Sequence, residues 1–255
     1  MGDLRQLSAS VLGATDAAYL LLYSNRTGSS LLMGDLAASG LGCPGDFLAE
    51  FTVSPPPATG YAGLALSPME SYISALVDRF TAGRVFGFRA SLPQVNGFSS
   101  ACSAAFQVKM NRELRRVFPH LRIILLSRRD QFAQAASYWE ALRTQVWTLP
   151  EVHASPAARP AYNYSELRDA LQKVVMQDWE IRQYLAETGC QYLEVSYERY
   201  VSDRRATLNS IVEFLHLPPR QVQLGASLRS TEDSLTLEHA ARLREDLKLE
   251  GTANQ

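Results

Sequence analysis

The sequence predicts an α/β domain whose central sheet is mainly parallel, P-loop-like at its first turn and flanked by helices. Three observations predict it. Short apolar runs alternate with longer helical patterns along most of the 255 residues. The run LRIILLS, at 121–127, has an uninterrupted, branched core, as in a strand covered on both faces. The stretch YLLLYSNRTGSSLL, at 19–32, passes from apolar run to small polar loop and back to leucines, the order of a phosphate-binding turn.

Taken in order, residues 19–23 form the first strand and 29–39 the first helix, with Leu31, Leu32 and Leu36 at helical spacing. The segment TVSPPPATG, at 52–60, is too rich in proline for a regular helix or a central strand and reads as a connection. RVFGFR, at 84–89, is a second strand, and residues 104–117 read as an amphipathic helix closed by Pro119. After the strand around 123–126, Asp130 is placed to cap a helix running from 131 towards 147. That helix would carry Trp139 and Trp147 on one face. Residues 150–160 read as a loop, 165–187 as a long helix ended by Gly189, 191–196 as a strand, and 206–215 and 237–247 as helices. Strands alternating with helices imply right-handed crossovers and a single domain over 1–255, with 1–16 as a peripheral N-terminal segment.

Composition narrows the function. A 46% hydrophobic content builds a sizeable core, and a formal net charge of -1 gives no global basic field for sequence-independent nucleic-acid binding. Any anion site must be local. Cys43, Cys102 and Cys190 lie far apart, without CxxC or Cys/His spacing, so no metal site is expected and a reducing, cytoplasmic setting fits. No stretch reaches the roughly 18 apolar residues of a membrane span, and the N-terminus lacks a basic start with an apolar run behind it. The four histidines, His120, His153, His216 and His239, fall on loops and helices without evident partners.

Two candidate anion sites emerge. In SNRTGSS, at 24–30, a strand-to-helix loop points unpaired backbone N–H groups at one spot, where the helix dipole also favours negative charge. Thr27, Gly28, Ser29 and Ser30 leave room for an anion, and Arg26 can fork onto its oxygens. A serine-rich helix-capping turn reads the same residues equally well. In SRRDQFAQAASYW, at 127–139, Arg128 lies just past a strand end, where open α/β sheets place ligands, and Ser137 lies some two turns into the next helix. A solvated arginine and a packed serine are the alternative. Together the sites suit a ligand with two separated anionic groups, and a strand end of Ser127-Arg128 offers no carboxylate for magnesium.

These residues resemble the sulfotransferases dependent on 3′-phosphoadenosine 5′-phosphosulfate (PAPS), and within them the bacterial trehalose-sulfotransferase-like branch. That family's 5′-phosphosulfate loop is of the type RSGST, matched here by Arg26-Thr27-Gly28-Ser29-Ser30. Its 3′-phosphate motif pairs a strand-end arginine with a helix serine, matched by Arg128 and Ser137. The run SYWEALRTQVW, at 137–147, is the most specific likeness to the trehalose branch. SYERYVSDRRATL, at 196–208, resembles a segment near the adenosine and makes Tyr197 a cofactor contact. The resemblance spans residues 19–215 and implies the sulfotransferase fold, PAPS as donor, 3′,5′-ADP as product, no metal, and a homodimer.

Two departures bear on the acceptor. Where the branch has a proline followed by a glutamate base, GCPGDFLAEF puts Asp46, with Glu50 four residues on as a reserve. Where it has a glycine then a lysine, GFRAS puts Arg89. The resemblance implies sulfuryl transfer to a hydroxyl of a carbohydrate or glycolipid, with Arg26 and the loop N–H groups on the leaving oxygen, Asp46 as base, and Asp46 and Arg89 beside the acceptor. The rival readings are a P-loop kinase-like phosphotransferase, for which the loop lysine and a magnesium carboxylate are missing, and a catalytically silent nucleotide- or partner-binding module. The acceptor pocket would be shaped by 43–69 and 147–164, which carry no motif. Arg229, Arg242 and Arg244 either close over the cofactor or line a solvated helix.

Overall fold

The computed structural model describes residues 3–52, 57–107, 114–147, 160–225 and 234–253. Its sheet has the strands β1 (Ala17–Tyr23), β2 (Val85–Ala90), β3 (Leu121–Ser127) and β4 (Tyr192–Ser196), in the order β2-β1-β3-β4 and parallel throughout. The helices are α1 (Leu4–Ala14), α2 (Ser29–Ala38), α3 (Met69–Phe80), α4 (Leu92–Phe106), α5 (Gln131–Thr144), α6 (Tyr164–Thr188), α7 (Tyr197–Ser202), α8 (Arg204–Phe214) and α9 (Ser234–Ala253).

Alternation along β1 divides the core between two faces, as a period of two requires. Leu20 and Leu22 meet Phe86, Phe88, Ile123 and Leu125, under a layer containing Leu7, Val11, Ile73, Phe98 and Tyr184 from α1, α3, α4 and α6. Tyr19 and Leu21 face the other way, against Leu32, Leu36, Val195, Tyr200 and Ile211 from α2, β4, α7 and α8. The first segment thus contributes to the core through α1, whose Leu7 and Val11 are buried. A third cluster joins α5, α6 and α9 through Ala136, Trp139, Val174, Ala240 and Leu243.

Two expected helices take other bounds. The helix expected over 104–117 is α4, which begins at Leu92 and ends at Gln107 in a left-handed conformation (φ 52°). Its start is set by Ser91, whose N–H donates to Gln94 Oε1 at 2.7 Å, and by Pro93 in the first turn, where a missing N–H costs nothing. Residues 108–113 lie outside the described residues. The helix from 131 stops at Thr144 rather than 147, because Gln145 (φ 58°) turns left-handed without a glycine to signal it. Trp139 and Trp147 therefore do not share a helix face: Trp139 is buried, and Trp147 is 38% exposed beyond the helix end. The 150–160 loop lies mostly outside the described residues.

The placement of α2 rests on Asp35, which is fully buried. Its Oδ2 accepts from Tyr200 Oη at 2.6 Å and from Arg204 Nε at 2.8 Å, and its Oδ1 accepts from Arg204 Nη2 and from the Gly225 N–H at 2.8 Å. One carboxylate thus joins α2, α7, α8 and the chain at 225. Removing one member of a buried pair leaves the other charge uncompensated. Asp35→Ala is expected to cost about 3–5 kcal/mol in urea unfolding, against near-neutrality if the hub is dispensable.

The entry to α2 depends on Gly28, whose φ is 84° and where a Cβ would stand 2.7 Å from the Tyr197 ring. Gly28→Ala is expected to lose about 1–2 kcal/mol from the left-handed backbone, plus a contact cost that Tyr197→Ala relieves. A double-mutant cycle measures it, and strict additivity would contradict the contact.

Candidate functional site

Strand order reverses between β1 and β3, and open α/β sheets place a ligand crevice at such a point, outside the carboxyl ends of the strands. The loop after β1 is pinned there by neutral hydrogen bonds. Thr27 Oγ1 donates to Ser24 O at 2.9 Å, and Gln134 Nε2 on α5 donates to Ser24 Oγ at 2.9 Å and Asn25 O at 2.7 Å. From α6, Gln177 Oε1 accepts from the Asn25 N–H at 3.2 Å. Loop N–H groups are thereby aimed by a scaffold, while the first turn of α2 adds donors that have no acceptor within the helix.

The first charge cluster is built on Arg26 and Arg128. Arg26 has φ 66°, and its guanidinium crosses to α5, where Nε donates to Ser137 Oγ at 2.9 Å and Nη1 donates to Trp147 O at 2.8 Å. Arg128 is only 9% exposed; its Nη1 donates to Arg26 O at 3.1 Å and its guanidinium lies 4.9 Å from the Tyr197 ring centroid. Burial pushes the pKa of both guanidiniums down. For Arg26 the charge of Arg128 adds to that effect and Glu140 opposes it; for Arg128, Tyr197, Glu198 and Asp130 oppose it. Four sequence-nominated residues, Arg26, Arg128, Ser137 and Tyr197, therefore meet in one place.

A second cluster gathers at the first turn of α2. Arg89, near the end of β2, donates from Nη1 to Ser30 Oγ at 2.8 Å and to Ser29 Oγ at 3.2 Å. Its other face pairs with both oxygens of Asp46, through Nε at 2.7 Å and through Nη2, a fork geometry that fixes the carboxylate in plane. Burial opposes the Arg89 charge, yet Asp46 more than offsets it and the pKa is raised. Tyr23 places its ring centroid 5.6 Å from the same guanidinium, and the Arg89 N–H donates to Gly45 O at 3.1 Å, which holds the Asp46 turn against β2.

Glu50 lies apart from this pair, in a 3-10 turn at Ala49–Thr52. It faces Tyr72, whose hydroxyl pKa is raised by burial and then by the Glu50 charge. Glu50 Oε2 is buried with no hydrogen-bond partner among the described residues.

Sequence reasoning missed Gln134, Gln177 and Glu198, which hold the loop after β1 and the exit from β3. Glu198 accepts from the N–H groups of Arg129 (3.0 Å) and Asp130 (3.1 Å), fixing the exit from β3. The one available signal was Gln134, a buried amide on an otherwise small-residue face of α5. Two histidines expected without partners have them. His216 Nδ1 lies 2.9 Å from Arg122 Nη2, and His239 packs edge-on to Trp139 with Nδ1 3.6 Å from Glu140 Oε1. Near the C-terminus, Arg244 pairs with Asp130 at 3.0 Å and Arg242 lies 4.1 Å over the Tyr162 ring, tying α9 to its neighbours. Arg229 and His153 lie outside the described residues.

Ser29, Ser30 and the Gly28 cradle at a helix N-terminus, with three arginines around them, suit a ligand carrying phosphate-like groups. A cavity of about 470 Å³ borders Arg128 and is lined also by Ser127, Ser196 and Arg199. Among the described residues no group of three or more His, Cys, Asp or Glu side chains is arranged for a metal, and no helix is long and apolar enough to cross a membrane.

Comparison with solved structures finds the fold of a bacterial sulfotransferase. A sulfotransferase from Alicyclobacillus acidocaldarius is 16% identical, with a TM-score of 0.52 over 90% of this chain and 92% of that one. The sulfotransferase domain from the curacin biosynthetic pathway is 14% identical, with a TM-score of 0.45 over 89% of this chain and 97% of that one. No curated protein sequence matches. The family model for Stf0 sulphotransferase matches residues 18–246, which takes in the four strands but for the first residue of β1 and both charge clusters, and the chain belongs to that family.

Proposed function

We propose that this sulfotransferase moves a sulfuryl group from PAPS to a hydroxyl of a carbohydrate or glycolipid. The observation that carries the reading is the pair of charge clusters at adjacent strand ends, one around Arg128 and one at the α2 N-terminus. A donor with phosphate groups at both its 3′ and 5′ positions offers one anionic group to each cluster. PAPS supplies the sulfuryl group as a mixed anhydride with phosphate. The chain's own residues position it and neutralise charge.

In this reading the N–H groups of Thr27, Gly28, Ser29 and Ser30 face the 5′-phosphosulfate, where negative charge grows on the phosphate oxygen as its bond to sulfur breaks. Arg128 and Ser137 hold the 3′-phosphate, and Tyr197 contacts the adenosine end beside the cavity. A new bond forms from the acceptor oxygen to sulfur, the acceptor proton passes to Asp46, and 3′,5′-ADP leaves. Asp46 is aimed by the forked contact with Arg89, and Glu50 is the reserve carboxylate. A cytoplasmic setting and a homodimer complete the proposal.

Two measurements test it. In thermal-shift titration, 3′,5′-ADP is expected to stabilise the protein more than 5′-AMP does, and Arg128→Ala to remove most of that difference. Equal stabilisation by the two nucleotides would refute the donor assignment. With PAPS and a panel of glycan hydroxyl acceptors, Asp46→Asn is expected to lower kcat by about 10²–10⁴-fold while leaving 3′,5′-ADP binding unchanged. Full activity in that variant would pass the role of base to Glu50.

A further inference from the structure

Two tyrosines beside the Asp46–Arg89 pair keep their hydroxyls unpaired within the chain. We infer that Tyr23 and Tyr61 determine acceptor specificity, donating those hydroxyls to oxygens next to the reacting one. The acceptor is then a ring with neighbouring hydroxyls, such as a pyranose, rather than a simple alcohol. The inference rests on the proposed sulfuryl transfer and names what its acceptor must carry.

Tyr23 closes β1. A period of two puts it on the same face as Leu21, and Leu21 pairs with Arg89, so tyrosine and arginine share the face that α2 covers. The Tyr23 ring centroid lies 5.6 Å from the Arg89 guanidinium. Burial raises the pKa of its hydroxyl, Arg89 opposes that effect and Asp46 adds to it, so at neutral pH the phenol keeps its proton and can donate.

Tyr61 approaches the same pair from the 43–69 segment, expected to shape the acceptor pocket. It opens a 3-10 turn at Tyr61–Gly63, which is closed by the Gly60 N–H donating to Leu64 O at 2.7 Å and the Leu66 N–H donating to Ala58 O at 3.1 Å. Its ring packs edge-on to Phe47 and Phe80, with centroids 4.7 Å and 5.4 Å away. A Cβ at Gly45 would stand 2.8 Å from Tyr61 Oη, so this hydroxyl lies over the residue that precedes Asp46.

Hydroxyls of the core tyrosines are used differently. Tyr19 donates to Leu41 O at 2.8 Å, Tyr72 to Phe47 O at 2.7 Å and Tyr200 to Asp35 Oδ2 at 2.6 Å, as buried hydroxyls require. Tyr23 and Tyr61 are half-buried, and among the described residues neither hydroxyl has a hydrogen-bond partner. The Asp46 side chain beside them is 31% exposed, so the group opens to solvent. Both Asp46 oxygens are engaged by Arg89. Acceptor oxygens beyond the reacting one therefore need other donors, and a site built to hydrogen-bond such oxygens discriminates against acceptors that lack them.

Initial rates with PAPS test this on methyl glucoside and octyl glucoside against cyclohexanol and octanol, alcohols with no neighbouring hydroxyl. The wild type is expected to favour the glucosides in kcat/KM. Tyr23→Phe and Tyr61→Phe keep the ring and remove only the hydroxyl; each is expected to lower that preference by about tenfold, with 3′,5′-ADP affinity and the thermal midpoint held. An unchanged preference in both variants, whether or not the midpoint falls, would overturn the inference and leave sulfuryl transfer standing. So would variants that lose 3′,5′-ADP affinity and keep the preference, or a wild type that favours the simple alcohols. A wild type that sulfates none of the four would sink the proposed acceptor class and this inference together.

Discussion

The structure depends on the parallel register of four strands, because register alone delivers the chemistry-bearing residues to one rim. Tyr23 pairs with Leu126 and Ser127 with Ser196, so the loop after β1, the arginine after β3 and the tyrosine after β4 leave the sheet at the same end. Arg89 joins them from β2. A slip of one residue in any pair would turn each side chain of that strand to the opposite face and separate the groups. The two-sided core enforces the register, since Leu20 and Tyr19 are each fully buried among partners of opposite faces.

Concentrating cations at that rim carries a cost that neighbouring groups offset. Asp46 offsets Arg89, while backbone carbonyls of Arg26 and Trp147 accept from Arg128 and Arg26. Behind the rim, Asp35 and Arg204 hold α2 against α7 and α8, so the helix whose first turn carries Ser29 and Ser30 is anchored through its buried middle. A rigid arrangement of donors needs little reorganisation when negative charge arrives, which is the advantage of preorganised electrostatics over mobile side chains.

Much of this was legible in the sequence. β3 could be read from LRIILLS because a doubly covered strand needs only continuous apolar residues, and the strand-loop-helix order of 19–39 followed from spacing. The start of α4 was obscured because serines at 99, 100 and 103 dilute its apolar repeat, and its end because Gln107 turns left-handed where glycine is the usual signal. Arg26, Arg128 and Ser137, nominated from the pattern, and Arg89, nominated from the resemblance, all lie at this rim. The direction of Arg26 could not be read, because it is set by Ser137 Oγ and by a carbonyl at the end of a helix whose length was itself misjudged. The pairing of Asp46 with Arg89 depends on β2 lying beside β1, a tertiary fact that no local pattern encodes.

The proposed function has this sheet rim bind a doubly anionic donor between strand-end arginines and a helix N-terminus. A crystal structure of the protein with 3′,5′-ADP tests it most directly. The account predicts the 3′-phosphate within hydrogen-bond reach of Arg128 and Ser137, with the 5′-phosphate against the N–H groups of Thr27 to Ser30. A nucleotide bound in the reverse orientation, or away from the carboxyl ends of β1 and β3, would contradict it.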